Sequence, residues 1–181
     1  MDSGLSPHPE IAPHRILHFH DFVYGRTTPY DDYSHGTHVT GIIGAKQIGI
    51  APECSLIALK ILDHHGNCSI ELFIEAIHWL LTHQYEYNIR IVNMSIGSNP
   101  SISRTEQILL NLWVSRLWEA GLIVCCSAGN NGPTRNTITA PGNCEDIITV
   151  GSCDGTSFSS ISRIPSSKPE ICAPGVRILS L

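Results

Sequence analysis

Residues 54 to 96 read CSLIALKILDHHGNCSIELFIEAIHWLLTHQYEYNIRIVNMSI. The opening run, CSLIALKIL, is aliphatic and β-branched, as expected of a strand. After a polar turn, SIELFIEAIHWLLTHQYEY has the spacing of an amphipathic helix, and NIRIVNMSI returns to strand character. A strand, a crossing helix and a second strand make the unit from which parallel sheets with right-handed crossovers are built. The alternation extends both ways. Upstream, RILHFHDF (15–22) predicts a strand and HVTGIIGAK (38–46) a helix. Downstream, TEQILLNLWVSRLWEAG (105–121) predicts a helix ending at Gly121, followed by the strand LIVCCSA (122–128). DIITVGS (146–152) and ICAPGVRIL (171–179) complete the pattern. Near-continuous apolar strands are expected where helices cover both faces of a sheet. The expected fold class is therefore α/β: three layers, with a mostly parallel twisted sheet between helices. Functional groups in such folds gather at the carboxyl ends of the strands.

The chain has 181 residues, 42% apolar and 15% charged, enough for one well-cored domain. A net charge of −5 without a basic run argues against nucleic acid as the main partner. No apolar stretch approaches the roughly 20 residues that span a bilayer, and MDSGLSPHPE lacks the basic start and apolar core of a signal peptide. The seven cysteines form no CxxC pair, which gives zinc little support. They are expected to be free and mostly buried, which leans towards a cytoplasmic location. A signal upstream of Met1 would make the protein secreted instead.

DDYSHGTHVTGIIGA (31–45) places two histidines at a loop-to-helix junction. A helix starting at about Gly36 or Thr37, with Thr37 as a capping residue, puts His35 near its N-terminus, where an imidazole can act as a base. His38, one turn on, is expected to be structural, and a lone His-x-x-His pair is weak evidence for zinc. Two further stretches carry chemistry. Asp2 lies in DSG (2–4), and Asn130 lies in SAGNNGP (127–133), a glycine-rich turn at the carboxyl end of an apolar strand.

DSG, HGTHVTG, NMSIGS, SAGNNGP and APGV, in that order, resemble the motifs of the subtilisin-like serine proteases, the subtilases, over nearly the whole chain. The resemblance implies an endopeptidase using an Asp-His-Ser triad. Asp2 would accept a hydrogen bond from His35, and His35 would take a proton from a serine hydroxyl and return it to the leaving amine. Asn130 would donate to the oxyanion, a contribution on the order of 3 kcal/mol. Ser95, Ile96 and Gly97, with Ala128 and Gly129, would bind a polypeptide substrate in extended conformation. Ile96 and Ala128 suggest tolerance of apolar side chains. An inhibitory pro-segment or an inhibitor is a further expected partner; no cofactor is expected.

The family's nucleophile follows the APG segment in a Gly-Thr-Ser turn, and the sequence ends soon after Gly175. Gly155-Thr156-Ser157 precedes APG and has no helical apolar face behind it, so Ser157 is expected to be structural and Gly155-Thr156 to form a hairpin turn. The strand that carries the aspartate is represented by little more than Met1, which would leave neighbouring strand edges unpaired. Residues 1–181 are thus expected to be a single incomplete subtilase catalytic domain, inactive alone. The alternative is a related module that binds extended peptides without cutting them. AKQIGIAPE (45–53) is short and offers Gln47 but no carboxylate before Glu53, so the calcium site common in subtilisins is expected to be absent. His64-His65 is expected to be a solvated turn.

Overall fold

The computed structural model describes residues 1–153 and 168–181. Backbone contacts divide the chain into two compact units, Met1–Ala76 with Leu179–Leu181, and Ile77–Ile178.

In the first unit, β1 (Ile16–Asp21) and β2 (Leu56–Lys60) pair in parallel, with one irregularity between Ile16 and His18. Helix α1 (His35–Gly44) lies between them in the chain, and a 3-10 turn at Pro13–Arg15 precedes β1. Leu5, Ile11, Phe19, Leu59, Ile61, Leu62 and Phe73 are buried. Arg15 is also buried, and its guanidinium donates to the carbonyls of Gly44 (2.7 Å) and Cys54 (2.9 Å), tying the end of α1 to the approach to β2. A Cβ on Gly44 would lie 2.8 Å from an Arg15 nitrogen, so a side chain there would displace the guanidinium.

Helix α2 (Ile70–His83) leads out of this unit. The second unit carries β3 (Ile91–Met94), α3 (Arg104–Glu119), β4 (Ile123–Ser127), β5 (Ile148–Ser152) and β6 (Ile171–Ala173). Its sheet has the order β3-β4-β5-β6, and every ladder is parallel. Ser103 opens α3 with a capping box: its hydroxyl accepts from the Glu106 N–H (3.2 Å), and the Glu106 carboxylate accepts from the Ser103 N–H (2.7 Å). Gly121, at φ +86, ends the helix as expected.

Three expectations need correction. First, not every strand is buried on both faces. In β4, Val124 and Cys126 are buried while Ile123 is exposed and Cys125 half-buried, so one face is covered more fully than the other. Second, ICAPGVRIL is not one strand. β6 stops at Ala173, because Pro174 has no N–H for a ladder, and Arg177 adopts a left-handed φ of 56. Third, all seven cysteines are free, but only Cys126 and Cys144 are buried. Cys153 follows the end of β5, Cys172 lies on the terminal strand β6, and both are exposed. Burial pushes the Cys126 thiol up to about 12, which makes it inert.

Candidate active site

Asp2 is fixed by main-chain bonds. On the edge of β2 away from β1, its N–H donates to the Leu59 carbonyl (3.0 Å), and its own carbonyl accepts from the N–H groups of Ile61 (2.9 Å) and Leu62 (3.3 Å). A single parallel bridge, Asp2 to Lys60, results. The side chain is 10% exposed, so the carboxylate is not a frayed terminal group. Its Oδ1 accepts from the Ser3 N–H (2.7 Å) and lies 2.7 Å from His35 Nδ1.

His35 is the first residue of α1, and its side chain is 42% exposed. The hydrogen bond to Asp2 raises its pKa above the ordinary 6.5; partial burial opposes this, and the charges of Asp2 and Asp31 reinforce it. An imidazole whose Nδ1–H donates to a carboxylate carries its free lone pair on Nε2.

The HG and SG pairs explain how the two segments approach. A Cβ on Gly36 would lie 2.3 Å from the Gly4 carbonyl oxygen and 3.2 Å from the Asp2 Cβ. Gly4 has φ +137, and a Cβ there would meet the Tyr30 carbonyl at 2.1 Å. The Gly36 N–H also donates to Ser3 Oγ (2.8 Å), satisfying one free donor of the helix start.

Thr37 does not cap α1. The N-cap position belongs to Ser34, at φ 67 and with no side-chain cap bond. Asp31 does the work from further upstream: Oδ2 accepts from the Thr37 N–H and hydroxyl (both 2.8 Å), and Oδ1 from the N–H groups of Tyr33 (3.1 Å) and Ser34 (2.9 Å). Burial pushes the Asp31 carboxyl up, but its bonds from Thr37, Ser3 and Tyr33 outweigh that and hold it below the usual 3.8. Thr37 Oγ1 instead accepts from the Ser6 N–H (2.9 Å). The His38 carbonyl accepts from the Ser180 hydroxyl at 2.6 Å.

Sequence reasoning missed Lys60. Its side chain is fully buried, and Nζ donates to the Ser3 carbonyl (2.6 Å), Asp32 Oδ1 (2.6 Å) and the Leu62 carbonyl (2.7 Å). The available signal was a charged residue inside the apolar run LIALKIL, where an unpaired lysine is costly.

The remaining candidates lie in the second unit. The β3–β4 ladder ends at Met94–Cys126, and Ser95, Ile96 and Gly97 continue beyond it. The Ile96 carbonyl accepts from the Ser127 hydroxyl (3.1 Å), and the Asn93 amide donates to Ser95 Oγ (3.1 Å). Gly97 is exposed. Ala128 is buried, and its N–H donates to the Val150 carbonyl (2.9 Å). Gly129 takes φ +88, a left-handed turn that carries the chain out to the exposed Asn130.

Gly155, Thr156 and Ser157 fall outside the described residues. His64 and His65 are exposed in a turn, where the Asp63 carboxylate accepts from the N–H groups of His65 (2.9 Å) and Asn67 (2.8 Å). Among the described residues no three His, Cys, Asp or Glu side chains converge to hold a metal ion, and no helix is long and apolar enough to cross a membrane.

The model of the subtilase family matches residues 1–180. The chain is 36% identical to serine protease AprX of Bacillus subtilis (strain 168), covering 100% of this chain and 46% of AprX. It is 32% identical to subtilisin E of the same organism, covering 99% of this chain and 46% of that protein. The chain therefore spans about half the length of the curated relatives it matches. Among solved structures, a cold adapted subtilisin-like serine proteinase superposes with a TM-score of 0.81 at 27% identity, over 99% of this chain and 62% of that one. Sphericase gives 0.78 at 27% identity, over 100% of this chain and 66% of that one. With the parallel ladders and the helices between them, these matches identify a subtilisin-like α/β fold, and the chain belongs to the subtilase family of serine proteases.

Proposed function

We propose that these residues are the part of a serine endopeptidase that carries the acid, the base and the oxyanion amide, and that the nucleophilic serine belongs to sequence following Leu181. The observation that carries this reading is the 2.7 Å contact from His35 Nδ1 to Asp2 Oδ1, with a partly exposed ring. Nε2 of His35 takes the proton from the serine hydroxyl as its oxygen bonds to the scissile carbonyl carbon. The Asp2 carboxylate stabilises the imidazolium, and the Asn130 side-chain N–H donates to the oxyanion. As the C–N bond breaks, the imidazolium returns the proton to the leaving amine, and water releases the acyl group by the same route in reverse.

The extended substrate lies along Ser95, Ile96 and Gly97 and against the turn of Ala128 and Gly129. In support, the sheet ladder stops short of Ser95, and Gly97 is exposed. A pro-segment or inhibitor would use the same backbone groups. Without the serine, the 181-residue chain retains at most the residual catalysis that an oxyanion donor supports.

The test begins with the native coding sequence past Leu181, where a Gly-Thr-Ser turn and a following helix are expected. The longer product should be labelled by a fluorophosphonate probe, its His35→Ala variant should not, and the 181-residue chain should stay unlabelled. A native stop codon at that point, or a longer product that resists the probe, would overturn the reading.

A further inference from the structure

Lys60 has no part in the proton transfers above, yet it is a fully buried cation with all three of its ammonium protons engaged. Two of its acceptors bracket the acid-base pair. The Ser3 carbonyl belongs to the residue after Asp2, and Asp32 belongs to the loop that enters α1 just ahead of His35. The third, the Leu62 carbonyl, belongs to the residue whose N–H holds the Asp2 carbonyl. Asp2 itself is hung on β2 by a single bridge, a small amount of sheet for a residue that must hold a carboxylate to within a few tenths of an ångström.

We propose that Lys60 is a positioning residue: its ammonium ties the DSG segment to the loop before α1 and so sets the separation of Asp2 and His35. This rests on the reading of Asp2 and His35 as a working pair.

The sign of one measurement separates positioning from simple charge. The charged groups that bear on His35 are Asp2 and Asp31, with the Tyr33 ring at 6.4 Å between centroids. Removing the Lys60 charge alone would raise the His35 midpoint, because a nearby cation disfavours the imidazolium. Loosening Asp2 would lower it. His35 is to be titrated by 15N–1H NMR in the 181-residue chain, assigned by the signal lost in His35→Gln. In Lys60→Met the midpoint should fall from its raised position towards 6.5. An unchanged or raised midpoint in a folded Lys60→Met protein overturns the proposal.

Should Lys60→Met not fold, Asp32→Asn decides, since Asp32 is partly exposed and its loss leaves Lys60 two partners. Amide exchange at Ser3 and Gly36 should then quicken about tenfold while Val124 in β4 is unaffected, as local opening predicts; unchanged exchange at Ser3 and Gly36 overturns the proposal. A wild-type midpoint at or below 6.5, or one indifferent to Asp2→Asn, instead removes the pair itself, and the positioning role with it.

Discussion

Gly36 and Gly4 face each other with no space for a side chain: a Cβ on Gly36 would stand 2.3 Å from the Gly4 carbonyl oxygen. The backbone of the DSG turn packs directly on the first turn of α1, and this contact brings the Asp2 carboxylate to the His35 ring. Gly36→Ala should therefore push the two segments apart. The expected cost is about 1–3 kcal/mol, in line with overpacking elsewhere, read as a lower melting temperature. It should come with a His35 midpoint closer to 6.5; retention of both the wild-type melt and the midpoint would contradict the geometry.

Asp2→Asn tests the pair without changing its shape. The folded His35 midpoint lies above 6.5, so the stability it contributes is fully present below that pH and is lost as pH rises through the raised midpoint. Wild type should exceed Asp2→Asn in stability most clearly just below pH 6.5, with the gap closing above it. Thermal melts of both proteins across this range provide the check.

Asp31 gives the opposite sign. Its carboxyl is held below 3.8, so its contribution is present above that pH and disappears as pH falls through the lower folded value. The melting difference between wild type and Asp31→Asn should shrink as pH drops below 3.8; a difference that persists undiminished would mean the carboxylate charge is not what holds the start of α1.

In a longer, probe-reactive form of the protein, Asn130→Leu should reduce kcat by about 100- to 1,000-fold with little change in KM, because the amide acts on charge present only in the transition state. An equal loss expressed in KM would assign Asn130 to ground-state substrate binding.

Ser103→Ala removes one half of the capping box at α3 and should lower stability by about 1 kcal/mol. Denaturant melts measure this, and Ser103→Asp, which keeps an acceptor, should recover most of the loss.

The element order was legible because each helix and strand is long and periodic enough to declare itself. The approach of Asp2 to His35 was legible because short motifs carry both residues. Burial was harder to read: the apolar run LIVCC looks the same whether one or both faces are covered, and only tertiary packing exposes Ile123. RIL resembles a strand in composition, but Pro174 and the left-handed Arg177 remove it from the ladder. The capping box of Ser103 and Glu106 was missed, although its S-x-x-E signal is local. Asp31 and Lys60 depend on partners brought close by folding. Asp31 accepts from Thr37 six residues ahead, and Lys60 reaches back 57 residues to Ser3. No local spacing encodes such distances.

Asp2 takes its position from the main chain of Leu59, Ile61 and Leu62, and not from any of their side chains. Those three positions are thus free to vary in identity, within the limits of core packing, without shifting the acid. An insertion or deletion of one residue in β2 is another matter. It would reverse which carbonyls and amides face the Asp2 edge, and the acid would be left with nothing to hang from even if every motif were intact. The vulnerable feature of the acid-base pair is strand length, a property that no substitution scan would sample.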